Sequence, residues 1–188
     1  MGEIMNFEST EKIDFYLPKV KQFIEEEVIP VEKKIHAQEK TGSDRWQPHE
    51  ELEPLKEEAK KRGLWNLFLP DSELGAGLSN FEYAHLAEQM GRTTFASESM
   101  NCSAPDTGNM EVLVRYGSKE QQDQWLKPLL NGEIRSAFGM TEPSVASSDA
   151  TNMEAKAELV DGQWVINGEK WWTSVQETPD ARLSSLCV

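Results

Sequence analysis

The chain has 188 residues, 38% of them hydrophobic and 28% charged, enough for one or two small cores and outside the composition of disordered proteins. Thirty-three Asp and Glu against nineteen Lys and Arg give a formal charge of -14, a field that disfavours sequence-independent binding to nucleic acid or anionic lipid. Two cysteines without a CxxC pair and three histidines without ligand spacing give metal chemistry little support, and no apolar tract is long enough to cross a bilayer.

Met1 to Ser9 show neither the apolar run of a secretory signal nor the Arg-rich pattern of a transit peptide. Val20, Ile24, Val28, Val31 and Ile35 then recur at three- and four-residue steps, the stripe of a long helix with Pro18 near its start and Pro30 as a kink. A second helix is expected from Pro48 to Arg62, burying Leu52, Leu55 and Ala59 and ending on a left-handed Gly63. Ser79 with Glu82 forms a capping box for a helix to Met90, stopped by Gly91. Asp106 or Thr107 caps a short helix ending near Gly117, and Ser118 with Gln121 opens another that runs to about Leu130. The five expected helices suggest a bundle over residues 1–135.

From Ser136 the pattern turns to strands. Ala155 to Val160 and Gln163 to Ile166 are β-rich runs joined by Asp161-Gly162, a strong hairpin signal, and Asn167-Gly168 marks a further turn before an extended Glu169 to Ser174. Residues 136–174 read as the start of an antiparallel sheet with an open edge, and 175–188 as an unstructured tail without period 2 or 3.6. The fold class is therefore mainly α with a β part: a helical bundle followed by an incomplete antiparallel β-domain.

Two segments carry chemistry. Phe138-Gly139-Met140-Thr141-Glu142-Pro143, followed by Ser144 to Asp149, gathers hydroxyls and small residues around one aromatic ring. Such a loop suits an extended aromatic, anionic ligand, since hydroxyls and free N–H groups donate to its oxygens and an apolar flank covers its ring. A surface loop with serine turn chemistry accounts for the same residues. Trp171-Trp172-Thr173-Ser174 is the second segment: adjacent tryptophans on a strand face opposite ways, so one of them faces something other than the core, either a ligand or a neighbouring helix.

The run FGMTEP, then SVASSD, then INGEKWW with a hydroxyl residue two places after Trp172, resembles the paired flavin-binding signatures of the acyl-CoA dehydrogenases in order and separation. The preceding YGSKEQQDQWLKPLLNGEIRSAFGMTEP is similar to that family's passage from its helical domain into its middle β-domain. CSAPDTGNMEVL and TEPSVASSDATN resemble the branch of family members ten and eleven.

The resemblance implies FAD as cofactor, an acyl-CoA substrate, and fatty-acid β-oxidation chemistry that yields a trans-2-enoyl-CoA. By matching position it puts Phe138, Met140 and Thr141 beside the flavin ring, with Thr141 bonding its polar edge. Ser147 and Ser148 fall near the pyrophosphate and the acyl-CoA arm, and Ser148 is also the substrate contact. One residue more than the commoner TEPGAGSD form leaves open which serine does which. Trp172 packs against the flavin, Thr173 contributes backbone, and Ser174 stands in the place of the usual threonine.

Glu142 belongs, by resemblance, to the flavin-binding turn, and His85 reads as a bundle histidine. The family's catalytic carboxylate lies in a carboxy-terminal helical domain, and no residue here matches it, so the expectation is a truncated chain without a catalytic residue. A mitochondrial or peroxisomal location follows from the family alone. The alternative is a non-catalytic interaction module that associates with full-length homologous subunits.

Overall fold

The computed structural model describes residues 8–38, 47–174 and 181–186. Over these residues the chain is mainly helical with a small sheet part, and it divides into two compact units, Met1–Ser103 and Ala104–Val188.

The first unit begins at Thr10, whose Oγ1 accepts from the Ile13 N–H and starts α1 (Glu11–Phe23). A π turn, Ile24–Val28, carries α1 into α2 (Ile29–His36) while the capping residues keep right-handed dihedrals. Of the expected stripe Val20, Ile24, Val28 and Ile35 are buried, joined by Phe23, and Val31 is half-buried. Pro30 accounts for the π turn. Proline has no N–H to offer the carbonyl four residues back and its ring crowds that carbonyl, so the widened turn bonds the Ile29 N–H to the Ile24 carbonyl instead. Pro18 lies in the middle of α1, not near its start, because the cap is Thr10.

α3 (Leu52–Lys61) buries Leu52, Leu55 and Ala59 as expected, and Gly63 after it has a φ of +69°, the left-handed turn. α4 (Asn80–Met90) has the full capping box: Ser79 Oγ accepts from the Glu82 N–H, and the Glu82 carboxylate accepts from the Ser79 N–H at 2.8 Å. The other Glu82 oxygen accepts from Thr10 Oγ1 at 2.8 Å, tying the start of α4 to the start of α1, which packs along it. α5 (Ala96–Ser99) packs on α3. Phe23, Leu64, Leu67, Leu86 and Met100 are fully buried, each worth about 1.5–3 kcal/mol of burial. His85 lies edge-on to Phe81 at 4.9 Å, a packing role.

In the second unit α6 (Asp106–Tyr116) leads to α7 (Lys119–Gln121), opened by the Ser118–Gln121 capping box. A second π turn, Gln122–Leu126, precedes α8 (Lys127–Asn131), and again a proline, Pro128, follows it while the Lys127 N–H reaches the Gln122 carbonyl. α8 ends on a left-handed Gly132, where the Gly132 and Glu133 N–H groups bond the Leu129 and Pro128 carbonyls. β1 (Arg135–Gly139) follows.

The sheet part differs from the expected antiparallel start. β2 (Lys156–Val160) and β3 (Gln163–Asn167) do form the antiparallel hairpin, with φ of 50° at Asp161 and 80° at Gly162, the two-residue turn whose twist matches its strands. β1, however, pairs in parallel with β4 (Ala181–Leu186), in register from Ser136 opposite Leu183 to Gly139 opposite Leu186. β4 falls where the sequence reading places an unstructured tail; its alternating burial is that of a strand with one covered face. The rest of the expected tail, 175–180 and 187–188, lies outside the described residues. Residues 168–174 are irregular, not extended: Gly168 packs so closely on Ala155 that a Cβ there would lie 2.4 Å from the Ala155 Cβ, and Trp172 has a φ of 54°.

Asp106 is not a helix cap. Pro105 occupies that place, and the Asp106 carboxylate is buried, accepting from the Ser136 N–H at 2.7 Å, the Ser136 hydroxyl at 2.6 Å and Arg135 Nε at 2.5 Å. Asn109, one turn on, donates to Ser136 Oγ at 2.8 Å and to the Ala137 carbonyl at 3.2 Å. These bonds fix the first helix of the unit to the strand that carries Phe138.

Candidate cofactor site

β1 delivers its last residues to the site with alternating sides: Ala137 and Gly139 are buried, while Phe138 between them is 42% exposed. The chain then leaves the strand through Met140 and Thr141, and what holds this exit is Glu142. Its carboxylate is buried and accepts from Lys170 Nζ at 2.7 Å, from the Glu154 N–H at 2.7 Å and from the Ala155 N–H at 3.0 Å. Lys170 beside it, followed by the two backbone donors, holds this carboxyl down at about 2. Lys170 also donates to the Met140 carbonyl at 3.0 Å, and the Trp171 N–H donates to the Thr141 carbonyl at 3.0 Å. One buried ion pair thus pins the segments around residues 140, 154 and 170 together.

That clamp brings part of the expected set into one place and leaves part outside it. Met140 and Thr141 lie against Lys170 and Trp171 through main-chain bonds, with Met140 half-buried and the Thr141 side chain exposed. Thr173 stands close to Gly139, where an added Cβ would meet its Oγ1 at 3.7 Å. Trp172 is 81% exposed, edge-on to Trp171 with ring centroids 5.9 Å apart. Ser174 is exposed.

The two serines separate clearly. The Ser147 hydroxyl is buried, accepting from the Glu142 N–H at 2.7 Å and lying 3.2 Å from the Val145 carbonyl, so it closes the turn. Ser148 is exposed. Asp149 caps the short 3₁₀ turn Ala150–Asn152 through the Thr151 N–H and hydroxyl, which hold its carboxyl below the usual range. Sequence reasoning missed Lys170 as the partner of Glu142; the signal available was a lone basic residue in GEKWW beside a motif glutamate, too weak to name a pair.

A non-glycine residue at positive φ is uncommon, and a tryptophan held there with most of its ring outside the protein is more so. With Phe138, Trp171 and the Thr141 side chain also exposed, the motif presents three aromatic rings and a hydroxyl. The donor set fits one flank of a planar ring with a polar edge. It offers no free cation for a phosphate, since Lys170 is committed to Glu142.

Residues 10–133 match the profile described as "Acyl-CoA dehydrogenase, N-terminal domain" and residues 137–184 that of "Acyl-CoA dehydrogenase, middle domain". The chain belongs to the acyl-CoA dehydrogenase family. The middle-domain match runs ten residues past Ser174 (174 to 184) and so takes in the start of β4, in sequence where the motif resemblance stops.

Mouse acyl-CoA dehydrogenase family member 10 is 57% identical over 167 residues, 86% of this chain and 16% of that protein. The human family member 11 is 48% identical over 181 residues, 95% of this chain and 23% of that one. Among solved structures, a putative acyl-CoA dehydrogenase from Mycobacterium abscessus is 51% identical with a TM-score of 0.89, covering 95% of this chain and 46% of that chain. The acyl-CoA dehydrogenase chain therefore spans less than half the length of each of these relatives.

Proposed function

We propose that this chain provides one wall of an FAD and acyl-CoA site, with Phe138, Met140, Thr141, Trp172, Thr173 and Ser174 facing the flavin and Ser148 facing the acyl-CoA. The observation that carries the reading is Trp172, exposed at positive φ next to Trp171, whose N–H is bonded to the Thr141 carbonyl. FAD, when bound, supplies the capacity to accept the β hydride of an acyl-CoA thioester. The Trp172 and Phe138 rings would flank the flavin ring, Thr141 would bond its polar edge, and the main-chain ties through Lys170 and Trp171 would hold these groups at fixed spacing. Met140 and Thr173 are half-buried and act as floor. Ser147 serves this site by closing the turn that presents Ser148.

The α-proton of the thioester needs a base. Glu142, which directly follows Thr141, is unsuited: it is buried, its oxygens are occupied by three donors, and its carboxyl is held at about 2, far below the range of a useful base at neutral pH. The chain alone is therefore a binding element and does not turn over acyl-CoA. The test is to titrate purified chain into FAD and follow flavin fluorescence. Saturable quenching that weakens in Trp172→Ala supports the reading; quenching that is absent or indifferent to the substitution sinks it.

A further inference from the structure

The Lys170 side chain is only 12% exposed, and its ammonium meets three separate segments: the Met140 carbonyl at 3.0 Å, the Glu142 carboxylate at 2.7 Å and the Met153 sulfur at 3.6 Å. An ammonium has three N–H donors, so each has an acceptor. Glu142 places its other bonds elsewhere. Beyond Lys170 its carboxylate accepts from the Glu154 and Ala155 N–H groups, just ahead of β2. The pair is therefore asymmetric: Glu142 ties the ammonium to the approach to β2, and Lys170 alone of the two bonds the Met140 carbonyl.

We infer that Lys170 is a positioning residue for the proposed flavin wall, its bond to the Met140 carbonyl setting Met140 and Thr141 in register with Trp171 and Trp172. Glu142 in turn fixes the ammonium. The Trp171 N–H bonds the Thr141 carbonyl at 3.0 Å, so two consecutive residues on one run hold two consecutive carbonyls on the other. Neither run lies in a strand, so no ladder supplies this alignment.

Trp172 comes directly after these two bonds and has a φ of 54°. A non-glycine residue keeps so sparsely populated a dihedral only where its surroundings fix it. With the Lys170 bond removed, one bond remains and Trp172 is free to return to an ordinary negative φ, which turns its ring. The inference rests on the flavin reading for what the wall holds; how the wall is held is a property of the chain without FAD.

Native-state amide hydrogen exchange on the full chain without FAD reads that property. In Lys170→Met the Trp171 amide should exchange at least about tenfold faster than in the parent, the effect of losing one charged hydrogen bond. Lys170→Gln, shorter and uncharged, is the second variant and should act in the same direction. Leu86→Ala, a lesion in the core of the first unit, lowers stability and should leave the Trp171 amide near the parent rate. FAD titration is the separate arm: Lys170→Met should weaken flavin quenching about as much as Trp172→Ala does, and Leu86→Ala should not. A parent chain that does not quench flavin ends the flavin reading, while the exchange rates still decide the positioning. A Trp171 amide indifferent to both Lys170 variants, or moved as far by Leu86→Ala, overturns the positioning whatever the flavin does.

Discussion

Glu142 and Trp172 do opposite things from the same short stretch of structure. Glu142 turns inward and spends its charge on Lys170 and two amides, while Trp172 turns outward and is left without a covering surface. Because the folded carboxyl sits at about 2, below the ordinary glutamate value of about 4.3, its contribution to stability is present above the ordinary value and is lost as pH falls toward 2. Glu142→Gln should therefore lower the melting midpoint clearly at pH 7, because Lys170 loses its carboxylate partner in a nearly closed site. The gap between variant and parent should narrow steadily as pH falls from about 4.3 toward 2; a gap independent of pH would mean that the clamp is not electrostatic. Residue types alone leave FGMTEP and WW open between a ligand role and a structural one, and the flavin reading comes from the family resemblance. That Ser147 closes a turn while Ser148 faces out could not be read, since the two serines are identical until the backbone assigns one of them to the Glu142 amide.

Elements held by local bonds were legible and those held by distant ones were not. Both capping boxes, the left-handed Gly63 and the Asp161-Gly162 hairpin are contacts over a few residues, and each was read correctly. The two π turns have a local cause as well, a proline two positions beyond each, which a kink expectation at Pro30 matches only in part. The parallel pairing of β1 with β4 escaped, because strands joined by a long connection leave no periodic mark on the sequence between them. Asp106 escaped for the same reason: before α6 it looks like a cap, and its real partners are Arg135 and Ser136. Asp106→Ala should thus act as a core lesion and not as a cap loss. Leaving the buried Ser136 N–H without its acceptor and removing the anion beside Arg135 should cost about 3 kcal/mol, read by chemical denaturation, against about 1 kcal/mol for a lost cap. A loss at the smaller figure would contradict the tie between α6 and β1.

At the scale of the whole molecule the question is what a chain that spans less than half of each compared relative does with the family's flavin motifs. Purified chain given FAD, a range of acyl-CoA thioesters and an electron acceptor should show no turnover above a heat-treated control, because Glu142, the carboxylate built into the motif, is locked and a positioned base is worth about 100- to 10,000-fold. Turnover abolished by Glu142→Gln would overturn that assignment. The account stands most directly on the flavin wall itself. Fluorescence titration of FAD with the parent chain, Trp172→Ala and Trp164→Ala measures it: loss of the Trp172 ring should weaken binding about fivefold, the equivalent of roughly 1 kcal/mol of stacking, while loss of the Trp164 ring, also exposed but on the hairpin, leaves it unchanged. Equal affinities for all three chains, or an effect only at Trp164, would contradict it.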